Sequence, residues 1–161
     1  MSPHRSTGLP ARSRPAVPFA AVGAACVVAG GLVAAATAPA PSEHGSWAAA
    51  YLVLVAGVTQ VALGVGQALL APRPPSRRVV TGEITAWNAG NVAVLAGTLL
   101  GVAPLVDAGG ALLVVALALL TLGVRHQGGR RGWGLRLYRL LIAVVLVSIP
   151  IGLLLARAGH S

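Results

Sequence analysis

Along most of this chain apolar residues neither alternate with polar ones nor recur every three to four positions. They run on in long blocks, broken by short polar segments. Helices with apolar surroundings on all sides give this pattern, because a bilayer offers no aqueous face that would select polar side chains. Crossing a hydrocarbon core about 30 Å thick takes about 20 helical residues. Five runs have roughly that length: 18–38, 47–71, 84–105, 108–124 and 135–156. The predicted fold is all-α, a polytopic transmembrane bundle of five helices. Only a corner at Val106 and Asp107, close to Pro104, divides the third run from the fourth, which predicts a tight helical hairpin. Residues 1–17 mix Pro, Ser and Arg without apolar periodicity and read as a disordered basic tail, with 158–161 a short tail at the other end.

Charge orients these runs. Only 9% of residues are charged and the mean hydropathy is +0.81, against about a quarter charged in a soluble domain. All 12 basic residues are arginines. Arg5, Arg12 and Arg14 precede the first run, Arg73, Arg77 and Arg78 lie between the second and third, and Arg125, Arg130, Arg131, Arg136 and Arg139 lie around the link from fourth to fifth. Those are alternate connections and hence one side, which the retention of arginine in short cytoplasmic loops makes the inside. The intervening PAPSEHGS and APLVDAGG carry Glu43 and Asp107 and no arginine; Arg157 alone falls outside. The expectation is a cytoplasmic N-terminus and a multi-pass protein of a bacterial plasma membrane, with membrane lipid as its surroundings. The net charge of +9 thus reads as topology rather than as affinity for nucleic acid.

A different account fits the first run. Arginines, an Ala-rich stretch and the steps Ala36-Thr37-Ala38 and Ala38-Pro39-Ala40 also describe a cleavable secretory signal, although the run exceeds the usual apolar core of about 7 to 15 residues. Aromatic residues fall near run ends, Trp47 and Tyr51 at the outer side and Phe19, Trp87, Trp133 and Tyr138 at the inner, as headgroup anchors would.

Polar residues at membrane depth are the candidates for function. In TGEITAWNAGN, residues 81–91, Thr81 reads as an N-cap and Glu83 as a boundary carboxylate complementing the helix dipole, with Arg77 and Arg78 near enough to pair with it. Asn88 and Asn91 fall deeper and require partners within the bundle. The second run supplies them: Gln60 and Gln67, seven residues apart, share a helix face, with Gly57 and Gly64 beside them. Antiparallel packing predicts an intramembrane cluster of Gln60, Gln67, Asn88 and Asn91, extended by Thr59 and Thr98. It serves either as hydrogen-bonding glue between helices or as a cavity for a headgroup, quinone or small solute. Gly90, Gly97 and Gly101 give the third run a small-residue face, with GTLLG a contact of the GxxxG type; such faces suit a membrane-protein partner or a second copy of the chain.

Other chemistry finds little support. The single cysteine, Cys26, allows neither a disulfide nor a CxxC pair, and His4, His44, His126 and His160 all lie away from mid-span, which disfavours a haem held by facing histidines. Glu43, His44, Asp107 and His160 share the outer side without a ligand spacing. No Gly-x-Ser-x-Gly elbow or HExxH motif occurs. No cofactor, metal or catalytic residue is expected, and the leading expectation is a non-enzymatic helix-packing or accessory subunit. A small carrier or a lipid- or quinone-binding protein is the alternative, with a haem- or metal-associated redox protein behind both. The segments HGSWAAAYLVLVAGVTQVALGVGQALLA and EITAWNAGN resemble small polytopic integral membrane proteins of high-GC actinobacteria, a likeness that implies localisation and no activity.

Overall fold

The computed structural model describes residues 16–71 and 75–124, together with positions 136, 138–140, 142–145 and 147. Four long helices are seen: α1 (Ala16–Thr37), α2 (Glu43–Leu70), α3 (Arg77–Leu100) and α4 (Ala103–Val124). The described positions from 136 to 147 are helical too, and no strand occurs among the described residues. Three helices, α1, α2 and the Ala103–Leu122 part of α4, are long and apolar enough to cross a membrane. The basic tail, the 125–135 connection, the outer half of the fifth run and the last residues lie outside the described residues.

Local chemistry sets the helix ends, and two of them correct the expected boundaries. α2 begins at Glu43 because the Ser42 hydroxyl accepts from the Gly45 N–H at 3.1 Å, while Glu43 itself occupies the first turn. α3 begins at Arg77 rather than near residue 84: Ser76 is its N-cap, its Oγ accepting from Val79 N at 3.4 Å. Thr81 is thus inside the helix and caps nothing. The corner between α3 and α4 also moves, from Val106–Asp107 to Gly101 and Val102. Gly101 adopts φ 67°, the left-handed conformation that ends a helix without steric cost in glycine alone, and Val102 N donates back to Gly97 O at 2.8 Å. Pro104 then falls in the first turn of α4, where a missing N–H costs nothing.

The helices form two antiparallel hairpins, each closed through glycine. A Cβ on Gly23 of α1 would lie 2.9 Å from the Gly57 carbonyl oxygen of α2, and one on Gly57 would lie 2.9 Å from that of Gly23. The second hairpin repeats this reciprocal contact: a Cβ on Gly90 would stand 3.0 Å from Gly109 O, and one on Gly109 2.8 Å from Gly90 O. Backbones that touch so closely gain dispersion contacts unavailable to larger residues, and these drive helix association where lipid removes the hydrophobic incentive. The GTLLG pair consequently divides its labour. Gly97 packs against Val102 and Val106, whereas Gly101 is a cap with nothing beside it.

One departure from α geometry interrupts α2. Leu52–Thr59 is a π-helical segment, in which the Thr59 hydroxyl donates to Leu54 O at 2.8 Å, five residues back. The segment lies against α1 at the Gly23–Gly57 and Gly30–Val53 contacts. The core sits where the hairpins meet. Leu113, Ala116, Leu117 and Leu120 form the inward stripe of α4, packed with Leu63 and Leu70 of α2, Val80 and Trp87 of α3, and Tyr138 and Ile142.

Candidate functional site

On α3, Glu83, Trp87 and Asn91 follow one another at four-residue intervals, so they form one stripe running about 12 Å along the axis at 1.5 Å per residue. All three are buried, Glu83 and Trp87 at 0% exposure. α2 presents Gln60 and Gln67, at 0% and 1%, to the same interior. The direct link is between Gln67 and Glu83: Gln67 Nε2 donates to both carboxylate oxygens, at 2.9 and 3.0 Å. This contact joins α2 and α3 at the Gln67 end of the stripes.

Glu83 is therefore outside the first turn in which it was expected to complement the helix dipole. The Ser76 cap makes it the seventh residue of α3, beyond the first turn, and its helix phase turns it inward. Arg77 and Arg78 point to the exterior, and no ion pair to Glu83 is present among the described residues. Trp87 likewise is no headgroup anchor, being enclosed in the core. Phe19 and Tyr138 belong with it: the Phe19 ring packs on Gly64 and the Tyr138 ring on Gly66, each occupying the space a glycine leaves. Three aromatics expected at the inner interface thus close that end of the bundle from within. Trp47 does keep an outward position, 37% exposed and stacked on Tyr51 with ring centroids 5.2 Å apart.

The four amides divide. Gln60, Gln67 and Asn91 are buried, whereas Asn88 is half-buried and its Nδ2 donates to Ile84 O at 2.8 Å, within its own helix. Asn91 Nδ2 similarly donates to Trp87 O at 2.8 Å. Thr59 and Thr98 bond carbonyls of their own helices and do not extend a cluster. The interhelical bond joins Gln67 to Glu83 rather than to another amide.

What remains is a set of buried polar atoms with no hydrogen-bond partner among the described residues: both side-chain polar atoms of Gln60, Gln67 Oε1, Asn91 Oδ1, Trp87 Nε1 and the Tyr138 hydroxyl, with the Tyr51 hydroxyl apart from them beside Trp47. An unsatisfied buried polar group costs about 1–3 kcal/mol, so this concentration on facing stripes is expensive. The seam can accept hydrogen bonds at three amide oxygens and the carboxylate, can donate from the indole and one amide, and can do either at the Tyr138 hydroxyl. No group of three or more His, Cys, Asp or Glu that could hold a metal ion occurs among the described residues. Sequence reasoning located the amides and missed the membership of Glu83, Trp87 and Tyr138. The four-residue spacing of Glu83, Trp87 and Asn91 was the available signal for the first two. Comparison with known protein families, with curated proteins and with solved structures finds no match to this chain.

Proposed function

We propose that the protein is a multi-pass membrane protein that binds a small polar ligand in the seam between its two helical hairpins, as a carrier or ligand-binding component rather than an enzyme. The observation that carries this reading is Gln60, wholly buried with neither amide atom bonded among the described residues. A glutamine retained as interhelical glue has its hydrogen bonds made to the neighbouring helix. Gln60 makes no such bond among the described residues.

Five spans with the N-terminus inside agree with this picture, since exposed Arg77, Arg78, Arg136 and Arg139 lie toward the end of the bundle where α2 finishes and α3 begins. The glycine-to-glycine seating of α1 on α2 supports a retained first helix rather than a cleaved signal. Reporter fusions at residues 41, 75 and 102 test the orientation, with only 75 expected inside.

The binding reading is tested by purifying the full chain in mild detergent and identifying extracted small molecules by mass spectrometry, for wild type and Gln60→Leu. A stoichiometric polar species present in the first and lost from the second, with both proteins folded, is the expected result. Helix packing against a partner subunit is the second reading. It is favoured by Gly31, which lies on the exposed side of α1 with open space beside it between Val28 and Leu32. That reading expects instead a crosslinked membrane partner that survives Gln60→Leu and disappears with Gly31→Leu.

A further inference from the structure

The ligand's chemical class follows from the balance of groups in the seam. Glu83 is buried and held by one neutral donor, Gln67 Nε2, with no cationic partner among the described residues. A carboxylate in a low-dielectric interior is strongly favoured by an adjacent positive charge. Around it the open valences are mostly acceptors: Gln67 Oε1, Gln60 Oε1 and Asn91 Oδ1. Aromatic rings complete the surroundings. Trp87 is one turn beyond Glu83 on the same stripe, and the Tyr138 ring is seated on Gly66, one residue before Gln67.

Resting on the binding reading above, we infer that the seam takes an organic ammonium ion that also bears a hydrogen-bond acceptor, its charged end at Glu83 and its acceptor toward Gln60. An ammonium supplies N–H donors to the carboxylate and the amide oxygens, and its charge is attracted to the faces of Trp87 and Tyr138. A bare alkali cation uses the oxygens equally well but leaves Trp87 Nε1 and Gln60 Nε2 without acceptors. Those two donors call for an acceptor on the ligand. The stripe extends about 12 Å from Glu83 to Asn91, so a short ammonium such as ethanolammonium reaches only its Glu83 end, and a longer one is needed to engage both.

The test uses the full chain in lipid nanodiscs and three probes: ethanolammonium, its neutral counterpart ethylene glycol, and sodium ion. Ethanolammonium is expected to bind at millimolar concentration and to shift a carboxylate infrared band, which is assignable because the chain has only three acidic residues. E83Q retains the geometry and a bond to Gln67; it should weaken ethanolammonium by about tenfold or more and abolish the band shift. W87F, which keeps Glu83 and Gln67 intact, should weaken it less. Sodium binding that E83Q abolishes, without ammonium binding, would overturn the ammonium assignment in favour of a metal ion. Binding of ethylene glycol as tight as that of ethanolammonium, indifferent to E83Q, would overturn the charge assignment and leave the binding site standing. If no probe binds and wild type carries no extracted species, the inference and the reading beneath it fall together.

Discussion

Between α1 and α2 the peptide groups of Gly23 and Gly57 come together with no side chain between them, while between α2 and α3 the full lengths of Gln67 and Glu83 hold the helices apart. The second hairpin repeats the first arrangement at Gly90 and Gly109. Within a hairpin there is no space to exchange and every contact is protein on protein. Across the seam the same chain invests long polar side chains, and most of their hydrogen-bonding capacity stays open. Packing that exists only for stability fills its space and satisfies its polar atoms. The contrast therefore separates the part of the molecule whose polar groups are fully used in packing from the part where several are left unbonded among the described residues.

Substitutions can break that contrast, beginning with the glycine contacts. Gly57→Leu places side-chain atoms where the Gly23 carbonyl and Val27 already stand; a loss of about 3 kcal/mol or more is expected, seen as aggregation on size exclusion or a collapsed melting transition. In the seam, Gln67→Leu removes the donor to Glu83 and leaves a buried carboxylate unaided. A loss of about 1.5–3 kcal/mol in denaturant titration follows from hydrogen bonds to charged groups. Gln60→Leu has the opposite sign. It replaces two unbonded buried atoms by an apolar side chain of similar size, so stability should rise by about 1 kcal/mol while ligand is lost; a fall in stability would mark Gln60 as glue. The smallest effect belongs to Gly31→Ala, which meets open space and should gain about 0.5–1 kcal/mol from helix propensity, with thermal melting as the readout.

The helical class, with helices long and apolar enough to cross a membrane, was legible in the sequence because it rests on the length of apolar runs. α1 and α2 were placed within a few residues by the same count. α3 was not, for a physical reason. Its first two turns, from Arg77, carry exposed arginines and Thr81 ahead of any apolar run, so counting apolar residues finds the greasy part of the helix and overlooks its capped, polar beginning. That error put Glu83 in the first turn of the helix. Ser76 was the signal that places it correctly, a cap residue following Pro74 and Pro75. The burial of Gln60, Gln67 and Asn91 could be read from the cost of facing an amide toward lipid. Which amide bonded to what could not, since that depends on helix phase, and the π segment of α2 alters the phase in a way no periodicity in LVLVAGVT announces.

That segment has a consequence for how the chain tolerates changes in length. A π stretch accommodates about one residue more than an α-helix of the same path would need. Deleting one residue between Leu52 and Thr59 should let α2 revert to regular winding, with Trp47 and Tyr51 on their side and Gln60 and Gln67 still facing the seam. The same deletion between Gln60 and Gln67 would turn one glutamine out of register with the other. Within one continuous helix, then, eight residues form a stretch where chain length is negotiable, bordering one where it is not.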